Sequence, residues 1–298
     1  MIEEVIYVDD KRIKKHFIRE VEGIEEIHFH KDPRMLGVYC LPIQVRMWEG
    51  EYVELDVPEN TIMLGIITEL AAHHPRARLY LDGVNQTLQY LDTFVMGDVD
   101  GIGCIKWYMV PKGCKTVRLQ VTESRNPLMQ KSQRARNSGF CFGGFILKSS
   151  FTMPTPVYTT IYWNKNHLDL DEIPPADENV PGTLDVGDIP HPCKLQFLKL
   201  CCDCEDVEVL ITDGWGHEYT TYMNVKYTFR FNKMFSDLIN QKVTDYATIL
   251  KWDEKGKCIL LTLPLSFMEG MHIRLINRNK DKAIKLLDIE CAVKVRLC

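Results

Sequence analysis

The chain has 298 residues, 45% of them hydrophobic and 26% charged, with a formal net charge of −5 and a pI near 6.0. This is the composition of a globular chain with enough apolar material for one large core or two ordinary ones. It argues against a general nucleic-acid binder, which needs a basic surface to displace counterions from phosphates, and no apolar run approaches the roughly 18 residues of a membrane-spanning helix.

The start, Met-Ile-Glu-Glu-Val, lacks the basic and then apolar order of a signal peptide, so synthesis and retention in the cytoplasm are expected. The eleven cysteines are then expected as reduced, mostly buried thiols. They are dispersed apart from Cys201-Cys202-Asp203-Cys204, and the paired knuckles of a zinc ribbon are missing. Early in the chain, IHFH places His28 and His30 on one face of a strand; such a pair holds a metal only with a third ligand, which the sequence does not announce. No metal or other cofactor is expected.

Period-two alternation then dominates. VRMWEGEYVELDV (45–57), TIMLGIITEL (61–70), ARLYLDGV (77–84), CIKWYMV (104–110), TVRLQVTES (116–124) and CFGGFILK (141–148) read as short strands separated by Gly, Pro, Asn and Asp. So many short strands in about a hundred residues describe a sandwich or jelly roll. Asp82-Gly83, between two alternating runs, reads as a hairpin turn because Asp and Gly accept positive φ. Within 125–139, Arg125, Lys131, Arg134 and Arg136 occur with no acid, which suits a loop that docks an acidic partner. The stretch has no aromatic on which a base could stack, and direct nucleic-acid binding is not expected.

A domain boundary is predicted near 155, giving domains 1–155 and 156–298. The second opens on a linker, 164–193, in which Pro174, Pro175 and Pro181 mix with acids from Asp169 to Asp188. This linker is one acidic partner that the basic loop of a neighbouring copy could engage. Strands resume with KLQFLKLCCDC, VEVLITDGW, TTYMNVKYTFRF, CILLTLPLSF, MHIRLINRN and LLDIECAVKVRL, interrupted by one amphipathic helix over 233–251. Trp215, His217, Tyr219 and Tyr222, just after Asp213-Gly214, form the densest aromatic cluster and the candidate surface for a ligand or partner. ARLYLDG matches VEVLITDG, and PKGCKTVRLQV matches FMEGMHIRLIN, so the halves read as two copies of one plan.

GEYVELDV, ARLYLDGV and VPKGCKTVRLQVTE, over about residues 50–124, resemble the galactose-binding-like and carbohydrate-binding-module family of jelly rolls, with Pro111, Gly113 and Val117 at places comparable to its turn-and-strand motif. The resemblance implies a jelly-roll fold and a glycan as one candidate partner.

The sequence predicts an all-β protein of two tandem β-sandwich, jelly-roll-like domains. No G-x-S-x-G elbow, P-loop, GxGxxG or HExxH occurs, and no catalytic residue is assigned. The expected function is therefore non-catalytic: a structural, self-associating component of a large assembly such as a virus or phage capsid or tail, assembled in the cytoplasm and incorporated in the virion. The alternatives are a carbohydrate-binding protein and a glycoside-active enzyme of double jelly-roll type, whose paired carboxylates no linear motif would reveal.

Overall fold

The computed structural model describes residues 3–18, 44–85, 91–96, 101–129, 139–152, 156–213, 226–240, 247–262, 264–268 and 270–297. The chain divides into two compact units, one of Met1–Phe94, Val99–Val157 and Leu297–Cys298, the other of Val95–Asp98 and Tyr158–Arg296.

The first unit is built from β1 (Glu3–Tyr7), β2 (Lys14–His16), β3 (Val45–Met47), β4 (Tyr52–Asp56), β5 (Met63–Leu70), β6 (Ala77–Leu81), β7 (Val84–Asn85), β8 (Ile102–Met109), β9 (Thr116–Val121) and β10 (Phe140–Lys148). One antiparallel sheet has the order β1-β10-β5-β8, with β3 also on β10; the other has β2-β4-β9-β6-β7. Alternation in ARLYL and TVRLQV buries every second residue. Leu79, Val117 and Leu119 of one sheet share a core with Ile6, Leu64, Ile66 and Phe145 of the other, which makes the unit a sandwich. Each such side chain contributes about 1.5–3 kcal/mol of apolar burial. β5 and β10 are buried at every position, because Ile67, Ile105 and Ile146 form a second apolar cluster on the far face with Tyr7 and Trp107.

The stretch 45–57 is two strands rather than one. Glu51 accepts from the Trp48 amide at 2.8 Å and donates its own N–H to Trp48 O at 2.9 Å, closing a turn that sends β3 to β10 and β4 to β9. Asp82 and Gly83 have φ of +49° and +79° and join β6 to β7 in a two-residue hairpin. Asp82 Oδ1 also accepts from Lys115 N and Thr116 N at 2.9 and 2.8 Å, and these bonds hold its carboxyl below the usual range. The dipeptide is a structural turn.

The second unit contains β11 (Tyr158–Asn164), a 3-10 turn (Lys165–His167), β12 (Glu172–Ile173), β13 (Gly182–Ile189), β14 (Cys193–Cys202), β15 (Val207–Asp213), β16 (Lys226–Arg230), α1 (Phe231–Ile239), β17 (Ala247–Asp253), β18 (Gly256–Leu261), β19 (Ser266–Phe267), β20 (Met271–Asn277) and β21 (Ile284–Arg296). Its sheets have the orders β11-β21-β14-β18-β17, with β12 on β21 and β19 on β14, and β13-β20-β15-β16. Trp163 of the first sheet lies against Gly187 of the second, so closely that a Cβ there would come within 3.1 Å of the indole.

The two units repeat one strand order. β4-β9-β6-β7 corresponds to β13-β20-β15-β16, and β1-β10-β5 to β11-β21-β14. The matched phrases ARLYLDG and VEVLITDG are the equivalent strands β6 and β15, while β9 and β20 carry the other matched pair.

Three features depart from the sequence reading. Residues 164–193 are not an open linker: β13 runs within them, paired to β20 from Gly182↔Asn277 to Ile189↔Met271. Pro174, Pro175, Pro181 and Pro190 flank that strand and remove none of its ladder bonds. The helix predicted over 233–251 ends at Ile239; 247–253 is β17, paired to β18, where neighbouring strands override the helical spacing, and 241–246 lie outside the described residues. Finally, β14 and β18 set Cys201 opposite Cys258 and a disulfide joins them, whereas Cys114, Cys141, Cys202, Cys204 and Cys291 keep free thiols.

Candidate functional site

Most sequence-predicted site residues lie outside the described residues: Trp215, His217, Tyr219 and Tyr222, the basic-loop residues Lys131, Arg134 and Arg136, and the histidines His28 and His30. Arg125 is described and exposed, next to the buried Asn126. The acids expected to face the basic loop of another copy are in part engaged at home. His272, on β20, is 2% exposed and lies between two carboxylates of β13, with Nε2 2.8 Å from Asp185 Oδ1 and Nδ1 3.2 Å from Asp188 Oδ1. Arg274 Nε donates to the same Asp185 oxygen at 2.6 Å. Although burial works against its charge, the two carboxylates raise the His272 pKa to about 9, so it is an imidazolium at neutral pH. Burial alone would raise Asp185, but His272 and Arg274 hold it well below the usual carboxylate range.

The first unit has two buried polar clusters. Asp92 accepts from Arg76 Nε at 3.1 Å, Asn126 Nδ2 at 2.8 Å and Phe94 N at 2.8 Å. These bonds fix the turn entering Phe94 and tie it to the segment after β9. The other cluster joins Glu69 at the end of β5, His74 in the following turn and Cys141 on β10; their ligand atoms all lie within 4.8 Å of one another. Among the described residues this is the cluster that could hold a metal ion. Its members are 72 positions apart at the extremes (141 − 69), and no linear motif could have announced them.

An accessible apolar feature of the second unit is the outer face of the sheet β11-β21-β14. Register sets Tyr162 opposite Ala292, and Ala292 opposite Phe197, so an apolar stripe crosses three strands. Tyr162 is 66% exposed, whereas Ala292 between its neighbours is buried. Lysines rim the stripe: Lys294 Nζ lies 4.6 Å from the centre of the Tyr158 ring, and Lys194 is opposite Lys294. Lys199 is held by Asp288 and Glu290 at 2.7 and 3.0 Å. The alternation of Tyr158, Thr160 and Tyr162 along β11 was readable as a strand, but only pairing shows that its outward residues continue into Phe197. A separate cleft of about 500 Å³ beside α1 is bordered by Met234, Leu210 and the acid Glu208, which binds Arg230 at 3.1 Å and Arg278 at 3.0 Å.

No family model matches the chain, and no curated protein matches it. Solved structures to which it is similar include a xanthan lyase of Paenibacillus, at 14% identity and a TM-score of 0.29 over 91% of this chain and 25% of that one. The chain thus spans about a quarter of that lyase. The tandem CBM51 modules of the family 98 glycoside hydrolase of Streptococcus pneumoniae are similar at 9% identity and a TM-score of 0.28, over 99% of each chain. A third is in the structure of Sulfolobus Turreted Icosahedral Virus, at 8% identity and a TM-score of 0.26, over 92% of this chain and 60% of that one. At these scores the strand orders, not the similarities, carry the fold assignment. No helix among the described residues is long and apolar enough to cross a membrane.

Proposed function

We propose that the chain is a non-catalytic subunit of a large assembly, a capsid or tail component of a virus or phage particle, that associates with further copies through the outer face of β11-β21-β14. The observation that supports this reading is the stripe Tyr162–Ala292–Phe197 with its lysine rim. Exposed aromatics add apolar contact area with few rotamers to freeze, and Lys194 and Lys294 on one side of the stripe, in a chain of net charge −5, suit the acidic surface of another copy.

The double substitution Tyr162→Asp with Lys294→Glu changes two outward side chains and leaves the core alone. It is expected to weaken association about tenfold or more in sedimentation experiments, with an unchanged circular dichroism spectrum. Association unaffected by this pair would overturn the assignment of the face.

A second reading, glycan binding, is favoured by the same exposed Tyr162 ring, since a sugar ring stacks on an accessible aromatic face. Glycan-array binding that is lost in Tyr162→Ala would replace the first reading with this one; an array without signal removes it.

A further inference from the structure

We propose that Glu69 Oε1, His74 Nε2 and Cys141 Sγ are three ligands of one structural zinc ion, with the fourth position beside Gln44. The three atoms lie within 4.8 Å of one another, and all three residues are buried. Nε2 and Oε1 are 3.2 Å apart, close to the roughly 3.3 Å edge of a tetrahedron with metal–nitrogen and metal–oxygen bonds of about 2.0–2.1 Å. Imidazole, thiolate and carboxylate together are a zinc set, in which soft and borderline donors disfavour calcium and magnesium.

The surroundings prepare these donors. His74 Nδ1 is 2.9 Å from Thr93 Oγ1; an N–H donated there leaves the Nε2 lone pair facing the Glu69 oxygen. Two lone pairs at that distance repel unless a positive centre stands between them. Without a metal a proton serves that pair and the Cys141 thiol hydrogen-bonds the same carboxylate, whereas one divalent ion would hold all three donors at once. Gln44 Nε2 donates to Glu69 Oε2 at 3.2 Å, which leaves Oε1 for the metal. Gln44 is itself 4% exposed, and its own Oε1 has no hydrogen-bond partner among the described residues. That oxygen, on the amide already touching Glu69, is suited to the fourth position. Charge balances as well, since a divalent ion with one thiolate and one carboxylate is a neutral buried group.

Geometry also sets the role. With every donor buried no substrate reaches the cluster, so the ion's role is structural. The ion would tie the end of β5 and the turn after it to β10, which bulges between Phe142 and Gly144. Gly144, at φ +150°, permits that bulge where a Cβ would lie 2.3 Å from Ile6 O.

The test is metal analysis of the full chain purified without chelator, followed by exchange into cobalt(II). About one zinc per chain and a thiolate-to-cobalt charge-transfer band in the near ultraviolet are expected. Cys141→Ala should abolish the band, and Thr93→Val, which leaves all the ligands in place, should weaken zinc binding about 10–100-fold. A wild-type chain that retains no zinc and gives no thiolate band with cobalt overturns the proposal, whether or not Cys141→Ala folds. So does a band that persists in folded Cys141→Ala, or zinc affinity unchanged in Thr93→Val.

Discussion

Replacing His272 with leucine is expected to destabilise the second unit by about 3–5 kcal/mol, because it leaves Asp188, 0% exposed, as a buried carboxylate that has lost its cation. Denaturant unfolding followed by circular dichroism should show a large fall in the midpoint with little change in slope. The double substitution His272→Leu with Asp188→Leu should recover much of the loss, since removing both charges removes the desolvation cost. A single substitution that costs under about 1 kcal/mol would mean that the cluster stabilises nothing.

The same imidazolium predicts a pH dependence of definite sign. His272 titrates near 6.5 in the unfolded chain and at about 9 in the fold. A raised pKa stabilises fully below the unfolded value, so this contribution is complete below about pH 6.5, declines from there to about 9 and is absent above. Its size, from the difference between the two values, is about 3 kcal/mol. The partners that set it are Asp185 and Asp188, with Arg274 sharing Asp185. On the acid side the sign reverses: the lowered Asp185 contributes stability above its unfolded value and loses it as pH falls through its folded one. Stability that stays flat from pH 6 to 9.5 in wild type, or falls equally in His272→Leu, would refute the assignment.

The second large effect lies in the first unit. Arg76→Met is expected to cost about 3–5 kcal/mol, because Asp92, fully buried, would keep the Asn126 and Phe94 donors and lose its cation. Asp92→Asn should be milder, as a neutral amide can still accept one of those bonds. If both variants unfold like wild type, the cluster is not what fixes the turn before Phe94.

The parts of this fold that were legible in the sequence are those decided locally. Asp82-Gly83 was readable because a two-residue hairpin demands positive φ, and ARLYL and TVRLQV because alternation is what a half-buried strand requires. Even the repeat was visible, in the strands that occupy equivalent places in the two units. What the sequence concealed was decided at long range. Asp185 and Asp188 read as repelling charges in a linker because their cations, His272 and Arg274, come from nearly ninety residues later on the partner strand. Cys201 and Cys258 meet only through the register of β14 and β18. The stripe from Tyr162 to Phe197 likewise exists only once β21 lies between β11 and β14. The helical spacing of Ile249 and Leu250 misled for the same reason: β18 pairs with that segment and makes it a strand.

The assembly role is tested most directly by sedimentation velocity of the full chain across a wide concentration range at low and at high salt. Concentration-dependent growth into defined multimers, weaker at high salt because the lysine rim is screened, is the predicted result. A single monomeric species at every concentration and both salt levels would contradict it.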